Sequence, residues 1–376
     1  MLESTDPNAL IVETARRFSQ DRLLPTAAAR EAAGCIEPEI VAALGEMGFL
    51  GATNSSDWGG SEIPYETYAQ VIEELAAGDG SVSTLVSVHN APTCEILEKF
   101  GTPEQKQKWL LPMASGQAVG SFALTESGAG SDASGVRTKA VRTNSGYTIN
   151  GSKQFISNAR VGKTTILFAV TDPAAGKKGI SAFVVANDTP GFAISKVEHK
   201  LGQKASDSCA LNFDEMQVTD DQRIGAEGEG LKIALSTLES GRIGIAAQSV
   251  GMARAALDYA IAYAKERKQF GKPIIQHQAV AFRLVDAKTQ LAAARELTLR
   301  AARLKDAGEP ALEAAAMAKL FASEAAERIC SAAIQTLGGY GYLADYPVER
   351  IYRDVRVCQI YEGTSDVQKI ILSRML

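Results

Sequence analysis

Apolar positions recur at two spacings along the chain, and the changes between them divide it into three regions. Up to about residue 118 the spacing is helical. In PYETYAQVIEELAAGDG, Tyr68, Val71, Ile72 and Leu75 recur every three or four positions, Pro64 stands where a first turn tolerates it, and Gly78 stops the run. TPEQKQKWLLPMASG repeats the pattern, with Thr102 as N-cap, Pro103 at the first helical position, and Glu104 and Gln105 in the first turn. Between about 119 and 223 runs shorten and β-branched and aromatic residues rise. TTILFAVTD, GISAFVVAND, GFAISKVE and CALNFDEMQV have strand length, and Asn150-Gly151 in GYTINGSKQFISN predicts a hairpin turn. Short strands at near-regular spacing predict a small barrel or sandwich. From Gly230 onward the text is helical again. Val280, Leu284, Ala287, Leu291 and Ala294 form an apolar seam that ends at Gly308 and Pro310, and a further helix runs from about Ala311 to Leu337. The expected fold is α+β with several domains: an N-terminal helical domain (1–118), a middle β-barrel-like domain (119–223) and a C-terminal four-helix bundle (224–376).

Composition narrows the function. The chain has 376 residues and a net charge of −5, which favours neither nucleic acid nor an anionic membrane. No apolar run approaches the ~20 residues of a membrane span. The opening MLESTDPNALIVETARRF carries acids and no long apolar core, so it predicts neither a secretory signal nor a transit peptide. Five scattered cysteines predict reduced thiols and a cytoplasmic location. Three histidines without ligand spacing, and no C-x-x-C pair, predict no metal site. G-x-S-x-G, the Walker loop and the G-x-G-x-x-G fingerprint are all absent, so any nucleotide cofactor is held another way.

Several stretches carry polar or flexible residues with more than one reading. In FALTESGAGSDASG (122–135), Gly128 and Gly130 let backbone N–H groups approach an anion or a ring edge, or simply make a surface turn. In KQFISN (153–158), period two puts Phe155 and Ser157 on one strand face. An aromatic and a hydroxyl there suit a planar ring, or are a core Phe beside an exposed Ser. In ERKQFGKPIIQHQ (266–278), Arg267 is one of several cations at a helix end. In LESGRIG (238–244), Glu239 and Arg242 are three apart and able to pair on a helix surface. In IYEGTSDVQ (360–368), Glu362 leaves an apolar run before a glycine, as a solvated loop or as a base in an apolar pocket.

These motifs, with QTLGGYGY from residue 335 and in this order, resemble the acyl-CoA dehydrogenase family. The resemblance covers almost the whole chain and looks closest to the short-chain (butyryl-CoA) branch. It implies FAD as cofactor and oxidation of an acyl-CoA thioester to the trans-2-enoyl-CoA. It implies that Phe122, Ala123, Leu124, Thr125, Glu126, Ser127, Gly128, Ala129, Gly130 and Ser131 wrap the flavin, with Ser131 also near the substrate. Phe155, Ile156 and Ser157 stand against the ring; the family's triplet there often reads Trp-Ile-Thr, so Phe and Ser are departures. Arg267 is expected on the flavin pyrophosphate, usually of a neighbouring subunit, with Gln278 nearby. Gln335, Thr336, Leu337, Gly338 and Gly339 complete the adenosine side, and Thr364, Ser365 and Asp366 touch the cofactor.

For the substrate, the resemblance implies that Glu239, Ser240, Gly241 and Arg242 line the entrance to the thioester pocket, with Arg242 supporting the base. Gly241, Gly244 and Gly251 cost roughly 1 kcal/mol each inside a helix, so a partner helix or an acyl chain packs closely there. The α-proton of a thioester is weakly acidic, and removing it calls for a desolvated carboxylate of raised pKa. Glu362 is expected to be that base, and its backbone N–H and a ribityl hydroxyl to polarise the thioester carbonyl. Gly363 lets the backbone approach the substrate, and the β-hydride passes to flavin N5. The implied partners are an electron-transferring flavoprotein and copies of the chain in a homotetramer, a dimer of dimers. An acyl-CoA oxidase, a related flavin hydroxylase or nitroalkane oxidase, and a non-catalytic protein on the same scaffold remain alternatives.

Overall fold

The computed structural model describes residues 6–376; the first five residues of the predicted N-terminal domain lie outside it. Helices fill the chain up to Ala114 and again from Gly230, and the main sheet lies between Gly120 and Ile224. Local rules explain many helix ends. Thr102 and Gln105 form a reciprocal capping box. Pro64 caps the Tyr65–Gly78 helix from outside its first turn. Gly78 is the last residue of that helix, and the chain turns at Asp79, whose carboxylate accepts from the N–H groups of Ser81 and Val82 to start the Gly80–Val88 helix.

The sheet has eight strands: β1 (Gly120–Ala123), β2 (Lys139–Arg142), β3 (Gly146–Ser157), β4 (Thr164–Val170), β5 (Ile180–Ala186), β6 (Phe192–Val197), β7 (Ser208–Thr219) and β8 (Arg223–Ile224). Their order is β6-β7-β3-β2-β4-β5-β8, with β1 pairing parallel to β4. Along β4, Ile166 and Phe168 join the core shared with the neighbouring helices, while Leu167 and Ala169 join a core inside the sheet. Burial on both faces explains why this strand reads as a continuous apolar run. The inner core joins Tyr147 and Leu211 at one end of the sheet to Phe183 and Val185 at the other, so the sheet curls over itself like a barrel.

The predicted turn at Asn150-Gly151 is not there. The β2–β3 hairpin turns at residues 143–146, where the Thr143 N–H donates to the Gly146 carbonyl at 2.9 Å. Asn150 and Gly151 lie inside β3 at a bulge opposite β7. Asn150 exchanges two hydrogen bonds with Glu215, and Gly151, at φ +149°, lies close against Thr138. Of the two, only Gly151 has positive φ, and it serves the bulge.

The Gly230–Glu266 helix runs for 37 residues through the middle of the molecule and is buried along most of its length. Two further long helices, Gln278–Asp306 and Leu312–Leu337, pack against it and each other. The fourth part of the bundle is broken into Pro347–Val355 and Ser365–Ser373, with Glu362 in the break. One core joins Tyr68, Leu75 and Leu85 of the N-terminal helices to Ile243, Leu299 and Ala318 of the three long helices. The two helical regions, distant in sequence, are therefore one packing unit. No helix among the described residues is long and apolar enough to cross a membrane.

Two of the helix glycines are explained by helix packing. A Cβ on Gly244 would run into the Ser87 hydroxyl, and one on Gly251 into the Glu73 carbonyl. Gly251→Ala should push the central helix off the Tyr65–Gly78 helix and lose ~1–3 kcal/mol of stability, read as a lower melting temperature.

Candidate active site

Glu362 is held in a left-handed turn at φ 54°, followed by Gly363 at φ 88°. Such a conformation costs a non-glycine residue roughly 1–2 kcal/mol, so the surroundings must enforce it. Gln368 does part of this from the first turn of the next helix, donating to the carbonyls of Glu362 at 3.3 Å and Gly363 at 2.9 Å. Lys319 donates to the Gly363 carbonyl at 2.7 Å. On the other side, the Tyr361 hydroxyl donates to Gln248 of the central helix and accepts from Gln203. Thr364 caps the following helix through the Val367 N–H at 3.2 Å.

The turn lays the carboxylate on the central helix. A Cβ on Gly241 would stand 2.7 Å from Glu362 Oε2, so any larger residue there would displace the carboxylate. The residue's outer surface is partly exposed, but Oε2 is sealed from solvent and has no hydrogen-bond partner. Burial pushes the Glu362 carboxyl up to about 7, against the opposing pull of Arg242 and Lys319. Arg242 is itself buried, with Nε and Nη1 unpartnered, and its desolvation lowers its pKa. Glu239 does not pair with Arg242; it lies 3.6 Å from Lys305. Ser240 also turns away, donating to the buried Glu95 at 2.9 Å. Of the four predicted entrance residues, Gly241 and Arg242 therefore face the carboxylate, and Glu239 and Ser240 belong to a neighbouring charged cluster.

The first glycine-rich motif lies beside β3. The Gln154 N–H donates to the Thr125 carbonyl at 2.9 Å, and Lys153 reaches the Leu124 carbonyl at 3.0 Å and Glu126 at 2.8 Å. Glu126 also accepts from the N–H groups of Arg137 and Thr138, so its side chain braces the loop and leaves only its backbone for a ligand. Ala123, Leu124, Ala129 and Ile156 are core residues, likewise presenting backbone alone. Phe122 packs edge-on to Phe168 at 5.1 Å. Ser127, Gly128, Gly130 and Ser131 are exposed, with open space beside both glycines. Phe155 is 62% exposed at a bulge, with φ 60°, and Ser157 is half-buried. Asp366 is exposed, and the Ser365 hydroxyl and Gln368 Oε1 are buried without partners.

The second group lies elsewhere. Arg267 ends the central helix, and a tight hairpin brings Ile274 back to its carbonyl at 2.8 Å, so that Gln278 opens the next helix nearby. Arg267 stands 5.6 Å over the Tyr340 ring and lines a cavity of about 530 Å³ with Thr336, Leu337, Gly338 and Gly339. Gln335 is exposed and does not line it. No hydrogen bond or ion pair among the described residues joins this group to the glycine-rich loop or Phe155.

Three family descriptions match the chain: "Acyl-CoA dehydrogenase, N-terminal domain" over residues 5–117, the middle domain over 121–216 and the C-terminal domain over 228–376. The chain belongs to the acyl-CoA dehydrogenase family. It is 42% identical over 369 residues to a short-chain specific acyl-CoA dehydrogenase of Clostridium acetobutylicum, covering 98% of this chain and 97% of that protein. Butyryl-CoA dehydrogenase from Megasphaera elsdenii superposes with a TM-score of 0.97 at 40% identity, over 100% of this chain and 99% of that one. A chain solved in work on the electron transferring flavoprotein of Acidaminococcus fermentans gives a TM-score of 0.97 at 42% identity, with coverage of 100% and 99%.

Within this acyl-CoA dehydrogenase scaffold, the sequence reading passed over Lys319, Gln368 and the Tyr361–Gln248–Gln203 group. A signal existed for the first: a lone cation inside the apolar run AAAMAKLFA. Polar residues such as Gln248 give no pattern, because their partners come from distant segments.

A raised carboxyl pKa favours the protonated form in the fold. Relative to the ordinary value of 4.5, Glu362's stabilising contribution is present below that pH and is lost as pH rises through about 7. Glu362→Gln should therefore melt higher than wild type at pH 8, by up to ~3 kcal/mol, and match it in acid. Melting curves at the two pH values check this.

Proposed function

We propose that Glu362 is the base that removes the α-proton in an FAD-dependent acyl-CoA dehydrogenase. The observation that carries this reading is the sealed, unpartnered Oε2 of Glu362 resting on Gly241. A carboxylate with a desolvated oxygen that receives no hydrogen bond is a stronger base than one in solution, and near pH 7 a useful fraction is ionised. Arg242 and Lys319 keep that ionised form accessible. The Glu362 N–H is the group of this chain proposed to polarise the thioester carbonyl.

The residues fit FAD. Gly128 and Gly130 leave open backbone, Phe155 offers an exposed ring face, the Ser365 hydroxyl and Gln368 Oε1 lack partners, and Arg267 offers a cation beside a large cavity. When bound, FAD supplies the acceptor for the β-hydride. The glycine-rich loop and Phe155 are proposed to hold the ring, and Arg267, Gln278 and the 335–339 segment the other end of the dinucleotide. Because these two groups lie apart in one chain, the reading includes a homotetramer, with Arg267 serving a neighbouring copy. Exposed Phe270, Phe282 and Val285 give that contact apolar surface. An electron-transferring flavoprotein as acceptor, a short acyl chain as substrate and the cytosol as location complete the proposal. The similar proteins and the five free cysteines support them.

Glu362→Gln tests the base. Gln fills the same space and cannot accept the proton. The variant should stay yellow and bind acyl-CoA but lose kcat by at least ~10²–10⁴-fold. Wild type should wash solvent deuterium into the α-carbon of an analogue without a transferable β-hydride, with a rate that rises with pH through about 7. Exchange by the variant at the wild-type rate would remove Glu362 from the role. Arg267→Ala should lose flavin and assembly together, as read by absorbance ratio on gel filtration, since a methyl replaces a charge-assisted donor.

A further inference from the structure

Lys319 lies fully buried in the Leu312–Leu337 helix, beside Ala315, Ala316, Ala318 and Ala322. Lys153, equally buried, pairs with Glu126 at 2.8 Å. Lys319 has no such ion pair among the described residues; its ammonium makes one hydrogen bond, to the Gly363 carbonyl at 2.7 Å. A buried ammonium without a paired carboxylate is costly, so its place calls for a reason beyond packing. The Gly363 carbonyl also accepts from Gln368 at 2.9 Å, so both of its lone pairs are occupied. The bond ties a long, rigid helix to a turn in which two successive residues, Glu362 and Gly363, are left-handed.

We propose that Lys319 is a positioning residue for proton removal: its ammonium holds the Gly363 carbonyl and so keeps Glu362 in its turn against Gly241. The inference rests on Glu362 being the base. The charge acts at the same place as the bond. Burial raises the Glu362 carboxyl, while Arg242 from the central helix and Lys319 from the third long helix pull it down. Around Lys319 stand Glu362, Arg242, the buried thiol of Cys358, and Glu324 on its own helix; desolvation brings the amine down to about 8. Without the ammonium, the turn loosens and Glu362 ionises at higher pH.

Two variants separate the bond from the charge. Lys319→Met removes both and keeps an apolar chain of similar length, an exchange of buried charge that is often neutral for stability. Lys319→Gln removes the charge and keeps a donor. Solvent deuterium exchange at the α-carbon of the same hydride-blocked thioester is followed from well below to well above pH 7 in the flavin-loaded protein. In both variants the midpoint should rise by about one pH unit. The plateau should fall roughly 10- to 100-fold in Lys319→Met and less in Lys319→Gln, with flavin content and melting temperature held. A wild-type plateau or a wild-type midpoint in Lys319→Met overturns the proposal. Glu362→Gln run alongside keeps the two ideas apart. If it still exchanges, the base assignment fails. If it is silent while both Lys319 variants match wild type, only the positioning role fails.

Discussion

The Glu362 carboxylate lies against Gly241 of the central helix, where the missing Cβ leaves room for it. Much of the surrounding structure serves that contact. The helix is buried without a break from Ser240 to Ala253, the stretch that contains Gly241. The C-terminal bundle must break between Pro347–Val355 and Ser365–Ser373 so that a turn can bring the side chain in. The turn must be left-handed, and its cost is met by Lys319, Gln368 and the Tyr361 hydroxyl, each fixed to a different element. Desolvation then raises the carboxyl toward neutrality, and two buried cations limit the rise.

Rigidity of the central helix comes from both ends of the chain. The N-terminal helices and the C-terminal bundle share one core, and Arg254 of the central helix reaches Glu74 of the Tyr65–Gly78 helix at 2.6 and 3.0 Å. Gly244 and Gly251 let those helices approach closely. Residues 65–88 thus pack directly against the helix that seats Glu362. The sheet is anchored separately, by a core with the helices on one face and its own inner core on the other. Lys153 and Glu126 tie the glycine-rich loop to β3 from beneath, which leaves the outer glycines free of other contacts.

The residues proposed to hold the dinucleotide form two groups in one chain, joined by no hydrogen bond or ion pair among the described residues. The loop and Phe155 face one way, while Arg267 and Tyr340 line a cavity elsewhere. The proposed contact of one cofactor with two copies of the chain is what would bring the two groups together.

Apolar spacing and terminal glycine or proline placed the Tyr65–Gly78, Gln278–Asp306 and Leu312–Leu337 helices, and run length between turn residues placed strands β4 to β7. The resemblance supplied Glu362 and the glycine-rich loop by motif. Asn150-Gly151 went to the wrong structure because a glycine of positive φ suits a bulge as well as a turn, and only the partner strand decides between them. Glu239 and Arg242 had the spacing of a helix pair, yet Lys305, 66 residues on from Glu239, took the acid, leaving the arginine buried beside Glu362. Lys319 stood out only as a cation in an apolar run; that it meets the carbonyl after Glu362 depends on how two helices dock. Sequence spacing fixes which residues share a face of one element, whereas desolvation and charge at a site are set by side chains from several elements, which meet only in the packed fold.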